Sequence, residues 1–132
     1  MENLQQEKDQ KIQDFMKNWF ENFDRLEENS YFLQYLSDDV KMKFPGNDQF
    51  TGHDAFCNWF TDSKNNMLGN TTHHVSDIKI TEVEKDQYDI NFKVRYVAPM
   101  KQANIDMDVT EDWKLSWDNA NDKPVISEYL VS

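Results

Sequence analysis

The stretch IDMDVTEDWKLSW, which runs from residue 105 to residue 117, alternates between apolar and polar side chains with one exception. Alternation with a period of two predicts a β-strand that has one face in a core and the other in water. Glu111 is the exception, because it falls on the apolar face between Val109 and Trp113. The chain is therefore predicted to carry a carboxyl group on the inner side of a half-buried strand.

Apolar spacing predicts three helices in the first half of the chain. Residues 4–26 repeat apolar side chains at i, i+3, i+4 and i+7, which indicates an amphipathic helix with an aromatic stripe. A short helix is predicted over residues 31–36, with Asn29 or Ser30 as its cap. The third covers residues 54–67. Most of the aromatic stripe is expected to lie in a core.

Five strands are predicted, over residues 40–44, 73–83, 88–98, 105–117 and 124–131. The second of these slips in its alternation, which indicates a β-bulge. Helices followed by a meander of antiparallel strands indicate an α+β fold. With 132 residues, the chain suits a single domain over residues 1–132.

The amino-acid composition limits the kinds of binding partner and indicates the cellular compartment. The net charge is −11, from 25 acidic and 14 basic residues, and an acidic surface repels nucleic acid and anionic membranes. The single cysteine, Cys57, cannot form an internal disulfide, which fits a reducing compartment. The N-terminal residues do not resemble a signal peptide, and no apolar run has the length of a membrane span. We therefore expect a cytoplasmic protein that binds neither nucleic acid nor membranes.

Several short motifs occur together and in order along nearly the whole chain. They are Phe23-Asp24 at the end of an aromatic-rich helix, Leu36-Ser37-Asp38-Asp39-Val40, Phe50-Thr51-Gly52, Trp59-Phe60, and Thr72-His73-His74-Val75-Ser76-Asp77. In this the chain resembles the SnoaL-like proteins of the nuclear transport factor 2-like superfamily. The resemblance implies an α+β cone, in which N-terminal helices pack in the concave face of a curved antiparallel sheet around a central pocket. It also implies a homodimer that pairs through the sheet.

Members of that superfamily include steroid isomerases, polyketide cyclases, dehydratases, epoxide hydrolases, oxygenase small subunits and non-enzymatic binding domains, so the fold alone does not give the function. Its ketosteroid isomerases use a tyrosine on the first helix, a base aspartate before a proline and a second aspartic acid in the pocket. These positions match Trp19, Phe44 and Glu111 here. Phe44 cannot accept a proton, so that isomerase mechanism is not expected. The third position keeps an acid.

Glu111 is the first candidate catalytic residue. An ionised carboxylate on an apolar face is costly unless it is paired, and burial raises the pKa of a carboxyl group. Such an acid suits proton transfer near neutral pH. Two alternatives remain at this stage: an ion pair with Lys43, Arg95 or Lys114, or a position at which the strand ends and the acid reaches water.

His73 and His74 are the second candidates. Adjacent residues of a strand point to opposite faces, so at most one of the two can line a pocket. They cannot share a metal ion, and no third ligand has suitable spacing, so no metal is predicted. The spacing His73-x-x-x-Asp77 is similar to a His-x-x-x-Asn signature of some SnoaL-like families, whose histidine lies near the pocket. The alternative is a histidine that is hydrogen-bonded at the sheet surface or in a dimer contact.

Six aromatic residues are candidates for the lining of an apolar pocket: Trp19, Phe44, Trp59, Phe92, Tyr96 and Trp113. Large aromatic side chains also fill cores, and that alternative stays open for each of them. The sequence has no Gly-rich phosphate loop, no Gly-x-Ser-x-Gly motif and no Cys-x-x-Cys pair. No cofactor is therefore predicted.

Three functions remain open. The first is a cofactor-independent isomerase, dehydratase or cyclase that acts on a mostly apolar substrate, with Glu111 and one histidine transferring protons. The second is a non-catalytic pocket for a small apolar or cyclic ligand. The third is a protein-interaction or structural homodimer, in which the cavity is vestigial and Glu111 is salt-bridged. An enclosed cavity that both Glu111 and a histidine face would favour the first.

Overall fold

The computed structural model of the chain describes residues 4–132, with side chains from residue 6 onward. Three helices precede and interleave with six strands. In chain order the elements are α1 (Leu4–Asp24), α2 (Asn29–Leu33), β1 (Leu36–Lys43), β2 (Phe50–Thr51), α3 (His53–Asn65), β3 (Thr72–Glu84), β4 (Gln87–Ala98), β5 (Ile105–Asp118) and β6 (Lys123–Val131).

The aromatic stripe of α1 forms the centre of the core. Trp19 is fully buried, and its ring lies 4.9 Å from Phe32 of α2 and 5.9 Å from Trp113 of β5, measured between ring centroids. The helix ends two residues before the predicted boundary. Its end is closed by Leu26, whose φ of 56° is in the left-handed region that commonly terminates helices.

The strands form one curved, open sheet in the order β2-β1-β6-β5-β4-β3. Strands β3 to β6 pair antiparallel with their chain neighbours, and this part of the predicted meander is confirmed. The alternation of β4 and β5 places their apolar side chains against the helices. The fold is the predicted α+β arrangement, with the helices on the concave side of the sheet.

Strand β1 departs from the prediction in two ways. It starts at Leu36, four residues earlier than expected, and it pairs in parallel with β6 at the other end of the chain. Alternation along one strand carries no information about such a distant partner. The two-residue strand β2, which pairs antiparallel with β1, was not predicted.

Helix α2 differs from the prediction, whereas the predicted irregularity of strand β3 is present. Helix α2 covers Asn29–Leu33 and not residues 31–36, and its cap residue is Glu28, which makes no side-chain capping bond. The predicted cap at Asn29 or Ser30 is therefore wrong. The predicted bulge in β3 is confirmed: its register shifts between Ser76 and Lys79, with Asp77 at a φ of 54°.

No helix within residues 4–132 has both the length and the apolar character that a membrane-spanning helix requires.

Candidate functional site

A cavity of about 220 Å³ lies between the helices and the concave face of the sheet. Aromatic side chains make up much of its wall, and Phe44 and Trp59 stack on each other there with ring centroids 3.8 Å apart. Its polar lining comes from six residues: Asn47, Ser63, His73, Glu111 and the hydroxyl-bearing Tyr96 and Tyr129. None of the described lining residues is a lysine or arginine. The cavity is thus apolar, with acidic and neutral polar groups facing inward.

Glu111 reaches this cavity from β5 and is only 3% exposed. The indole Nε1 of Trp113 donates a 3.1 Å hydrogen bond to its Oε1, and the hydroxyl group of Tyr129 donates a second bond to the carboxyl group. Burial raises the pKa of Glu111 to about 7, while these two hydrogen bonds oppose the shift because they stabilise the charged form. At neutral pH the group can therefore give up or take a proton.

Tyr129 is held from its other side by α1. The indole Nε1 of Trp19 donates a 3.3 Å hydrogen bond to the Tyr129 hydroxyl oxygen. That oxygen thus accepts from Trp19 while its proton points to Glu111. Burial raises the pKa of Tyr129 well above its usual value, and the negative charge of Glu111 raises it further. The tyrosine stays a hydrogen-bond donor, and Glu111 is the group in this network that titrates near neutral pH.

The ion-pair alternative for Glu111 does not hold. Lys43 bonds to two backbone carbonyl oxygens. Arg95 and Lys114 pair with aspartates that are half exposed. Within the described part of the chain, Glu111 has no cationic partner. The acid is desolvated, hydrogen-bonded and unpaired, and it does not lie at a strand end.

His73 lines the same cavity, and its partner is Asp24. The imidazole Nδ1 lies 2.6 Å from Oδ1 of Asp24, and the backbone N–H of His73 donates to Oδ2 at 3.2 Å. With a carboxylate at this distance, the proton of the neutral ring is assigned to Nδ1, which leaves Nε2 as a hydrogen-bond acceptor. A histidine oriented in this way can act as a general base.

Aromatic rings hold the imidazole in place. The ring of His73 lies 4.9 Å from Phe20 and 4.8 Å from Tyr96, measured between centroids. Burial, together with the negative charge of Asp24, raises the pKa of Tyr96 to about 12. The hydroxyl group of Tyr96 therefore keeps its proton at neutral pH. These contacts restrict the imidazole ring beside the cavity.

The other candidates from the sequence separate into two groups. Phe44, Trp59 and Tyr96 line the cavity. Trp19, Phe92 and Trp113 are packed inside the core and are absent from the described lining, because their rings fill the space between α1 and the sheet. His74 is exposed on the other face of β3, as the opposite orientation of adjacent strand residues requires.

Asp24 is the site residue that the sequence did not reveal. The His-x-x-x-Asp spacing had drawn attention to Asp77, but Asp77 is exposed at the bulge and lies 3.8 Å from Lys93. One signal could have indicated Asp24: it ends α1, where an acidic side chain opposes the helix dipole unless something compensates. Within residues 4–132, no cluster of three or more His, Cys, Asp or Glu is arranged to hold a metal ion.

Comparison with known proteins shows which solved structures share the fold of this chain. The sequence matches no protein-family model and no curated protein. Solved structures do match. A candidate aromatic ring hydroxylase from Novosphingobium aromaticivorans is 17% identical, with a TM-score of 0.81 over 92% of this chain and 85% of that protein. A candidate scytalone dehydratase from the same organism is 16% identical, with a TM-score of 0.76 over 91% of this chain and 79% of that one.

The chain has the NTF2-like fold. A third structure agrees: the hexachlorocyclohexane dehydrochlorinase LinA-type3 of Novosphingobium barchaimii is 11% identical, with a TM-score of 0.77 over 92% of this chain and 82% of that protein. At these low sequence identities the likeness establishes the NTF2-like fold alone. The chemistry has to be argued from the residues that line the cavity.

Proposed function

We propose that this NTF2-like protein is a cofactor-independent enzyme that moves a proton from carbon in a small, neutral, mostly apolar ring compound. The observation that carries the proposal is that an oriented histidine, His73, and an unpaired acid, Glu111, line one apolar cavity. Removal of a proton from carbon needs both a base and an acid in the site. The base takes the proton, while the acid stabilises the negative charge that develops on the substrate.

In the first step, Nε2 of His73 takes a proton from the carbon next to a ketone. The electron pair of the broken C–H bond forms a carbon–carbon double bond, and the carbonyl oxygen takes the proton of Glu111 to give an enol. Asp24 stabilises the imidazolium ion that results, because its carboxylate lies 2.6 Å from Nδ1. Isomerisation, dehydration and cyclisation can all begin with this step.

Dehydration is the outcome that we favour. In a β-hydroxy ketone, the enol returns its oxygen proton to Glu111 while its electrons expel the β-hydroxyl group. That group leaves with the proton held by His73, so the products are an unsaturated ketone and water, and both residues regain their starting states. Elimination also fits two of the similar structures, which carry the names of a dehydratase and a dehydrochlorinase.

The lining of the cavity supports a neutral substrate. It brings Glu111 to the ligand and, among the described residues, offers no lysine or arginine to balance an anion. Aromatic walls such as the Phe44–Trp59 stack suit a flat or cyclic molecule. The volume of about 220 Å³ limits that molecule to one or two rings.

For the assembly, we propose a homodimer that pairs through the outer face of the sheet. That face carries charges of both signs, including Lys114 between Asp89 and Glu128. A twofold arrangement can match such charges with their opposites. The cytoplasm remains the proposed location because Cys57 is a free thiol. Sedimentation equilibrium that gives a monomer of 15.8 kDa at micromolar concentration would rule out the dimer.

The test uses 3-hydroxy-1-tetralone, a neutral bicyclic β-hydroxy ketone. Loss of water from it, followed by tautomerisation, gives 1-naphthol, which is followed by fluorescence. The wild type should accelerate this reaction over buffer, and His73→Gln should lose about 100-fold of the acceleration or more because the base is gone. His74→Gln is the matched control, since its side chain is exposed on the opposite face. Equal rates for wild type and His73→Gln, or no acceleration by the wild type, would contradict the proposal.

A further inference from the structure

The carboxylate of Asp24 accepts three hydrogen bonds from one short segment, residues 71–73. His73 supplies two of them, through its ring and its backbone N–H. The third comes from the hydroxyl group of Thr71, whose Oγ1 lies 2.9 Å from Oδ1 of Asp24. Oδ1 thus receives both the threonine hydroxyl and the imidazole N–H.

We propose that Thr71 is a positioning residue, which sets the orientation of the Asp24 carboxylate and through it the orientation of the His73 ring. The inference rests on the proposed role of His73 as a base. Thr71 does not line the described cavity, so it acts on the ligand only through Asp24 and His73.

The Thr71 hydroxyl group is buried, and its hydrogen-bond partner is the Asp24 carboxylate. Thr71 is 4% exposed and is one of only two buried polar residues in the described part of the chain, the other being Glu111. Its backbone N–H is also engaged with Asp24, because it donates a 3.1 Å hydrogen bond to the carbonyl oxygen. Two bonds from Thr71 therefore hold the end of α1 against the start of β3, one at the backbone and one at the carboxylate.

The side-chain bond matters because a carboxylate can rotate about its Cβ–Cγ bond. The other two hydrogen bonds to this carboxylate both come from His73, through its ring N–H and its backbone N–H. Without Thr71, the rotation of the Asp24 carboxylate would therefore be restrained only by the residue that it is meant to orient. The Thr71 hydroxyl is an independent anchor, and a hydrogen bond to a charged group is stronger than one between neutral groups. With it in place, Oδ1 points at Nδ1 before any substrate binds.

Thr71→Val removes the hydroxyl group and keeps the branched shape, while Thr71→Ser restores a hydroxyl group at the same place. With 3-hydroxy-1-tetralone we expect kcat to fall about 10-fold in Thr71→Val with KM within a factor of two, and Thr71→Ser to recover most of the loss. Thr72→Val is the control, because that neighbour is exposed and makes no contact with Asp24 among the described hydrogen bonds. A KM effect alone, or equal losses in Thr71→Val and Thr72→Val, would overturn the inference.

A second measurement needs no substrate. The Nδ1 proton of His73, in a 2.6 Å hydrogen bond, should resonate far downfield in the proton NMR spectrum of the wild type. We expect this signal to move upfield and broaden in Thr71→Val, and to return in Thr71→Ser. An unchanged or further downfield signal in Thr71→Val would overturn the inference. If the signal moves as expected but the wild type has no activity, the proposed enzyme fails and the positioning role stands.

Discussion

The imidazole of His73 and the carboxylate of Asp24 are hydrogen-bonded at 2.6 Å across a separation of 49 residues. One partner ends the first helix and the other begins the third strand of the chain, so the pair also ties the helical layer to the edge of the sheet. Because His73 lines the cavity that Glu111 enters from the middle of the sheet, folding itself assembles a base and an acid around one space.

Replacing Asp24 by Asn should reduce kcat for 3-hydroxy-1-tetralone by about 100-fold with little change in KM. The amide cannot stabilise the imidazolium ion, and it can present its NH₂ group to Nδ1, which favours the wrong tautomer. Steady-state kinetics measures both constants. Asp77→Asn is the matched control, since the sequence spacing links Asp77 to His73 but the structure places it at an exposed bulge. If both variants lose activity equally, Asp24 is not the partner that matters.

Glu111→Gln should change the dependence of the rate on pH. The pKa of Glu111 is raised to about 7 by burial, so the protonated donor disappears as pH rises through that value, and the wild-type rate should fall about tenfold per pH unit beyond it. Glutamine donates a hydrogen bond at every pH, so the variant should keep a lower rate without this decline. Asp112→Asn is the matched control: Asp112 lies on the opposite, exposed face of β5, so this variant should show the same decline with pH as the wild type. A decline that persists in Glu111→Gln would assign it to another group.

The same acid should make stability depend on pH. Burial raises the pKa of Glu111 from 4.5 to about 7, so the folded state binds the proton more tightly than the unfolded state between these values. Relative to Glu111→Gln, the wild type should therefore lose about 2–3 kcal/mol of unfolding free energy between pH 5 and pH 8. Urea unfolding of both proteins at the two pH values measures the difference. A gain in the relative stability of the wild type with rising pH would have the wrong sign for a buried, unpaired acid.

Tyr129→Phe should raise the pKa of Glu111 further. The tyrosine hydroxyl donates to the carboxyl group and favours its charged form, so its removal leaves the effect of burial less opposed and the pKa of Glu111 should rise above the wild-type value. Carbon-detected NMR titration of the Glu111 carboxyl carbon measures it. Tyr35→Phe is a suitable control, because its ring packs on Phe15 and Tyr31 and has no described contact with Glu111. A pKa that falls in Tyr129→Phe would mean that the hydroxyl group does not donate to the carboxyl group.

The sequence predicted those parts of the fold and site that depend on local pattern. Alternation located β4 and β5 to within a residue or two and placed Glu111 on the inner face of its strand, since a period of two fixes both properties at once. The opposite orientation of adjacent residues separated His73 from His74 in the same way. These results need no knowledge of distant contacts.

What the sequence did not predict depends on contacts between distant segments. The parallel pairing of β1 with β6 joins two ends of the chain, and the Asp24–His73 pair joins the first helix to β3. Aromatic residues are a different case, because Trp113 and Phe44 have similar apolar character in sequence. Only packing decided that Trp113 fills the core while Phe44 faces the cavity.

The most direct test of the central claim isolates the transfer of a proton from carbon. 1-Tetralone has hydrogens next to its carbonyl group but no leaving group, so exchange of these hydrogens in D₂O, followed by proton NMR, reports the first step alone. We predict that the wild type accelerates the exchange and that His73→Gln abolishes the acceleration while His74→Gln does not. Exchange at the buffer rate with the wild type, or equal acceleration by His73→Gln, would contradict the account.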